Sequence, residues 1–247
     1  MKIKISVITV VKNDEKNILT TVLSVISQKR CVFEYIILDG NSSDNTYKQI
    51  LNLKGFKYFN YKDKNLYDGI NKAIKLSKGE YVFLLHSGDF FKNNLVLCSL
   101  AKKLRGSPDI ISGNLKYYYN EGKKKIISRV WRHPIRKIDK YSIFKVPHTT
   151  MLVKKKIIKK LNFYDTNYSI SSDMDFLIRL SNIKKLKYVY IDKFLIMMKG
   201  QGLSTSKKNF FSKLFQDLHI LYKYFNLNFF IIYFYKIKFK IFDFFKK

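Results

Sequence analysis

The chain has 247 residues, 48 of them Lys or Arg against 18 Asp or Glu, for a formal net charge of +30. With 47% hydrophobic and 27% charged residues it can bury a full core as one domain plus an appendage, which excludes a disordered chain. The charge favours anionic partners such as phosphates, nucleic acid or an acidic membrane surface. Lys, Ile, Asn, Phe and Tyr are abundant together, so part of that charge reads as compositional drift.

Cys31 and Cys98 lie far apart with no metal-ligand spacing, as expected of a reducing compartment without disulfides. "MKIKISVITVVKND" has no long apolar core and no small-residue cleavage site. No stretch approaches the roughly 18 uncharged apolar residues of a spanning helix. The expected location is cytoplasmic.

In chain order, "KISVITVV" is a short β-branched strand, and "NILTTVLSVISQ" follows with Ile18, Val22, Val25 and Ile26 at helical spacing. "FEYIILDG" is a second buried strand. Ser43, Asp44 or Asn45 can cap a helix through "TYKQIL". "FKYFNY" is a third strand, "LYDGINKAIKLS" a helix ending near Gly79, "EYVFLL" a fourth strand and "NNLVLCSLAKKL" another helix. Such alternation predicts βαβ units: a parallel sheet with helices on its faces.

The pattern then loosens. "YYYNEGKKKIISRVW" reads as a hairpin turning at Asn120-Glu121-Gly122. "HTTMLVKKKIIKKLN" reads as a strand feeding a short helix, "SSDMDFLIRLS" as an acid-capped helix and "KKLKYVYI" as a strand. From about residue 207 the chain interleaves lysines with rings, "NFFSKLFQDLHILYKYFNLNFFIIYFYKIKFKIFDFFKK", and that stretch differs in kind.

Ligands of parallel sheets bind outside the carboxyl ends of the strands. Three successive strand ends each deliver an acid there: Asp39 in "ILDGNSSDNT", Asp63 in "YKDKNLYDGINKA" and Asp89 in "LLHSGDFF". Ser, Gly and Asp are also turn formers, but the trio reaches one rim, and an acid ending a strand there is expected to stand open to solvent or ligand. Neither G-x-G-x-x-G nor a P-loop opens the first helix. The histidines, His86, His133, His148 and His219, are scattered and each reads as structural, with His148 before a strand left open. Asp173 and Asp175 stand at a helix start, where carboxylates cap. Either can also act as a general base if an attacking hydroxyl lies within reach.

"ISVITVVKNDEKNILTTVLSVISQ", "FEYIILDGNSSDNT", "KDKNLYDGINKAIKLSKGEYVFLLHSGDFF" and "HTTMLVKKKIIKKLNFYDTNYSISSDMDFLIRL" resemble, in order, the blocks of a family 2 glycosyltransferase. The subset most similar builds bacterial surface polysaccharides, and the resemblance covers roughly residues 3–205. It implies an α/β GT-A fold, a Rossmann-like nucleotide-binding mixed sheet flanked by helices. The domain would span 1–206, with a nucleotide half to about 115, an acceptor half over 116–206, and a basic aromatic helical extension over 207–247.

By resemblance, Thr9 and Val11 line the base and ribose of the nucleotide, and Asp39 accepts a hydrogen bond from the base, with Asn41 and Ser43 in the same loop. Asp63, Lys64, Asp68 and Asn71 lie beside the nucleotide sugar. Asp89 matches the last acid of a "DxD" element that holds Mg²⁺ or Mn²⁺ against the diphosphate, with Gly88 allowing close backbone approach. Asp173 matches the acid of an "ED" element, the general base. The chain departs from the pattern at His86, Ser87 and Ser172, and "GQGLSTS" (200–206) resembles a loop over the site with Gln201 disrupting its glycine pair.

The implied partners are a UDP-linked sugar donor and a glycan or lipid-linked acceptor, in polysaccharide or lipopolysaccharide synthesis. Residues 207–247 would meet an anionic membrane surface at the inner face of the cytoplasmic membrane, or pack on the domain or a second copy as a homodimer. A nucleic-acid partner is not expected, since no stacking platform or recognition helix occurs. An inactive scaffold of the same fold is the other alternative, and the joint presence of Asp39, Asp89 and Asp173 argues against it.

Overall fold

The computed structural model describes residues 4–122, 124–200 and 209–245, with side chains to residue 237. Strands β1 (Ile5–Val11), β2 (Phe33–Asp39), β3 (Lys57–Asn60) and β4 (Tyr81–Leu84) form a parallel sheet in the order 3-2-1-4. In β1, β2 and β4 the β-branched and aromatic residues are buried on both faces almost throughout, as a helix-covered parallel sheet requires, while the edge strand β3 is only partly covered. The chain runs outward from β1 to β3 and returns beside β1 as β4. The switch in strand order, where a ligand crevice forms, therefore lies between β1 and β4.

Beyond β4 the sheet becomes mixed. Strand β8 (Leu152–Lys154) pairs antiparallel with β4, and β6 (Ile110–Glu121) pairs antiparallel with β8. Strand β9 (Tyr188–Lys199) runs parallel to β6, and the two-residue β5 (Phe90–Phe91) closes antiparallel onto β9. Strand β7 (Lys124–Trp131) completes a hairpin with β6. Asn120 pairs with Lys125 and Glu121 with Lys124, so both still belong to the strand and the turn falls later than those residues suggested.

Helices α1 (Ile18–Ile26) and α3 (Val96–Lys102) cover one face, through Ile18, Val22, Val25, Leu97 and Leu100. Helices α2 (Leu66–Leu76), α4 (Lys155–Lys160) and α5 (Ser172–Ser181) cover the other, through Ile70, Ile74, Ile157, Phe176 and Leu180. The Asn65 side chain caps α2 by accepting the N–H groups of Tyr67 and Asp68. The helix expected through "TYKQIL" is instead a run of turns. Asp44 accepts the N–H of Thr46 and of Glu15, and i→i+3 bonds such as Ile50 N–H to Tyr47 O replace a helical ladder.

The extension forms α6 (Phe210–Phe225) and α7 (Phe229–Phe245). Both pack on the catalytic-type domain. Ile220, Leu221 and Ile232 bury themselves against Tyr168, Met174 and Ile178 of α5 and the segment before it. No helix among the described residues is long and apolar enough to cross a membrane.

Candidate active site

The turn after β4 is clamped from several sides. Gly88 adopts φ +89°, a conformation that favours glycine. Its N–H donates to Thr21 Oγ1 of α1 (2.9 Å), and that hydroxyl donates to Asp89 O (2.8 Å). Tyr118 of β6 donates its hydroxyl to Gly88 O at 2.6 Å. The Lys199 N–H, at the end of β9, donates to Asp89 Oδ1 at 2.9 Å.

Asp89 is consequently only 4% exposed, which corrects the expectation of an acid standing open at the rim. Burial pushes its carboxyl up to about 7, against the opposing pull of the Lys199 N–H and ammonium. The cover comes from Lys199 at the end of β9, Tyr118 of β6 and Thr21 of α1, all outside the octapeptide and invisible in it. Ser87 Oγ beside it is buried with no hydrogen-bond partner among the described residues. Among those residues no group of three or more His, Cys, Asp or Glu is arranged as a metal cage. A divalent ion suits such a turn when substrate phosphates and water fill most of its shell, because Mg²⁺ commonly takes one or two carboxylates from protein. Asp89 and the orphaned Ser87 hydroxyl could supply that small oxygen set.

Asp173 stands in the first turn of α5 with its side chain 27% exposed. Tyr67, at the start of α2, donates its hydroxyl to Ile170 O (2.7 Å) and lies 3.2 Å from Asp173 Oδ1. His148 Nδ1 lies 3.5 Å from Asp173 Oδ2. The ring of His148 meets that of His86, from the β4 turn, edge to face at 6.3 Å. Burial and the neighbouring His148 hold His86 down to about 4, against the pull of Asp173, so His86 is neutral at pH 7. His148 thus joins the β4 turn to the start of α5. Sequence reasoning left His148 open and missed Tyr67, whose only signal was its place beside a helix cap.

Asp175 is unsuited to the same work. It is fully buried, and its carboxylate meets Arg179 Nε (2.7 Å) and Nη2 (2.6 Å) and the Tyr224 hydroxyl (2.8 Å). Arg179 also donates to the carbonyls of Leu161 and Phe163, tying α5 to the preceding loop. Ser172, at the position of the expected glutamate, is 0% exposed and faces the interior. That departure alters packing under the helix rather than the exposed rim.

The remaining expected residues divide into rim and scaffold. Asp39 ends β2 with Oδ1 accepting the Ser42 N–H (2.7 Å) and Oδ2 the Tyr58 hydroxyl (2.8 Å). Asn41 is exposed at φ 62°, and the Ser43 N–H donates to Asn13 Oδ1, stitching the loops after β1 and β2. Asp63 tucks beneath two glycines: a Cβ at Gly40 would stand 2.7 Å from its Oδ2, and one at Gly69 2.9 Å. Burial raises its carboxyl pKa, with Lys12 and Lys72 opposing.

Thr9 and Val11 depart from their expected role. Both side chains share the face packed under α1, and the Thr9 hydroxyl donates to Leu85 O at 2.8 Å and lies 3.1 Å from the Tyr35 hydroxyl. Strand alternation turns Val10 to the opposite face and leaves Lys12 exposed beyond the strand. Asn71 is likewise occupied, exchanging two hydrogen bonds with the backbone of Tyr164. Asp68 accepts from the Lys64 N–H and from Lys72, pinning the loop to the start of α2. Residues 201–206 of the expected covering loop lie outside the described residues.

A parallel nucleotide-type half, an antiparallel continuation and an acid at the start of α5 are the arrangement of a GT-A glycosyltransferase. The chain belongs to glycosyl transferase family 2, whose family model matches residues 6–162. It is 30% identical over 183 residues to an uncharacterized glycosyltransferase of Mycobacterium tuberculosis, covering 71% of this chain and 68% of that one. It is 27% identical over 221 residues to the poly(ribitol-phosphate) β-N-acetylglucosaminyltransferase TarP of Staphylococcus aureus, covering 77% and 67%. The fold matches S. aureus TarS 1–349 in complex with UDP-GlcNAc with TM-score 0.69 at 17% identity, covering 90% of this chain and 68% of that one. The chain spans about two thirds of these relatives and 44% of the longer TarS chain.

Proposed function

We propose that the protein is an inverting hexosyltransferase that moves a sugar from a UDP-linked donor to a hydroxyl of a glycan or lipid-linked acceptor in surface polysaccharide synthesis. The observation that carries this reading is Asp173, a part-exposed carboxylate on the rim that holds the β4 turn. The UDP-GlcNAc bound by TarS and the polymer named for TarP support the donor and acceptor classes.

In this mechanism the acceptor oxygen attacks the anomeric carbon as the bond to the diphosphate oxygen breaks on the opposite face. Asp173 takes the hydroxyl proton as the new bond forms. The Tyr67 hydroxyl on one oxygen and His148 on the other hold the carboxylate in one orientation. Asp89 and Ser87 would hold a Mg²⁺ or Mn²⁺ ion, which supplies neutralisation of the charge developing on the leaving diphosphate. Asp39 and the 41–43 loop would receive the base and ribose.

The extension is read as a peripheral membrane contact. Phe211, Phe215, Phe230 and Phe234 are each at least 65% exposed, on a segment (207–247) with nine lysines and two aspartates. Exposed rings among lysines suit the headgroup region of an anionic bilayer, where a lipid-linked acceptor resides.

The reaction is tested by incubating the protein with UDP-sugars of α configuration and a lipid-linked acceptor extract, and reading the product's anomeric proton by NMR. A β-linked product supports the reading, and an α-linked product contradicts single displacement.

A further inference from the structure

We propose that Gln216, on the appended helix α6, is a positioning residue for Asp173; this rests on Asp173 being the base. A helix start leaves its first N–H groups without partners inside the helix. At α5 the N-cap residue Ser171 makes no side-chain capping bond, and the hydroxyls of Ser171 and Ser172 are buried without partners among the described residues. The chain entering α5 is held instead from another helix. Gln216 Oε1 accepts the N–H of Ile170 (3.0 Å) and of Ser171 (3.1 Å). Its Nε2 donates to Ser169 Oγ (3.0 Å) and to Ser212 Oγ (3.3 Å), which fixes the amide plane.

The Ile170 peptides are gripped from both sides. Gln216 takes the N–H while the Tyr67 hydroxyl donates to the carbonyl, and that same hydroxyl lies 3.2 Å from Asp173 Oδ1. A phenol has one hydrogen to share. A shift of residue 170 therefore changes how far Tyr67 can serve Asp173, three residues on. His219 and Tyr224 of α6 reinforce the seat, through Tyr168 (3.0 Å) and Asp175 (2.8 Å). Displacements of about 1 Å at a reacting group can cost on the order of 10²-fold in rate. The appended helix is thus part of the machinery that aims the base.

The test uses the full chain and compares Gln216→Leu with Gln216→Glu, which keeps an acceptor oxygen at the same reach. We expect Gln216→Leu to lower kcat by about ten- to a hundredfold with UDP affinity and melting temperature near wild type, and Gln216→Glu to retain most turnover. In an Asp173→Asn background Gln216→Leu should add nothing. A kcat for Gln216→Leu within twofold of wild type overturns the proposal, as do equal losses for Leu and Glu or an undiminished loss in the Asp173→Asn background. If Gln216→Leu does not fold, Gln216→Met takes its place, and failure of both to fold assigns a purely structural role and also overturns it. Full turnover by Asp173→Asn alone would instead remove the base reading on which the proposal rests.

Discussion

At the residue scale, Asp89 and Asp173 are two carboxylates placed in opposite settings. Asp173 keeps a part-exposed edge at the rim, while Asp89 is sealed by Lys199 and raised to about 7 by burial. On the proposed function, donor and ion would meet a turn that this structure keeps covered. Asp89→Ala should abolish metal-stimulated UDP binding, read by titration calorimetry with and without Mn²⁺, while circular dichroism stays native. Full activity after EDTA treatment would show that no divalent ion serves the reaction. Lys199, whose side chain would contact a Cβ at Gly88 and whose Nζ holds Asn17, would then be the cation at the diphosphate.

The positions of both acids were legible because each follows a strand or opens a helix with strong periodicity. Their environments were not, because Lys199, Tyr118 and His148 reach them across long sequence separations. Thr9 shows the complementary limit. The strand itself was plain in "KISVITVV", but which face of it met the core depended on α1 and on Tyr35.

At the element scale, α5 is the hinge of the molecule's organisation. Its first turn faces the rim with Asp173, and its buried Asp175 faces Arg179 and the appended helix. Asp175→Ala leaves Arg179 uncompensated in a largely buried setting. The loss should be about 3–5 kcal/mol of stability, measured by urea denaturation, with any fall in activity tracking the unfolded fraction. A fully folded variant that bound UDP but had lost turnover would instead move the base to Asp175.

The pairing of α5 with α6 and α7 was not written in any local pattern, since the lysine-aromatic stretch suits a strand, a surface helix or a packed one. What decides it is a small set of inward residues. Ile220, Leu221 and Ile232 bury themselves, and Asp217 accepts from both Lys213 and Lys236. Although burial raises the Asp217 carboxyl, those two ammonium groups pull it down to about 2. The "TYKQIL" segment failed in the other direction, its Asp44 and Thr46 bonds favouring turns over a helix of good apolar spacing.

At the scale of the whole molecule, the extension packs inward and still shows a wide apolar and basic surface outward. Cutting α7 away would uncover Ile220 and strip Asp217 of Lys236, so the proposed membrane contact is better tested at exposed positions. Phe230 and Phe234 stand one helical turn apart, both outward. The double substitution Phe230→Asn and Phe234→Asn should leave UDP binding intact and weaken co-sedimentation with anionic liposomes. Raised salt should weaken binding of the native chain as well. Unchanged sedimentation of the double variant would remove this face from the membrane.

The proposed role of Asp173 as the base of a sugar transfer is tested most directly by UDP release from UDP-sugars with a lipid-linked acceptor extract, wild type beside Asp173→Asn. Acceptor-dependent UDP release should fall by about 10²–10⁴-fold in the variant while UDP binding is kept. Undiminished release by Asp173→Asn, or none from any nucleotide sugar by the wild type, would contradict that role.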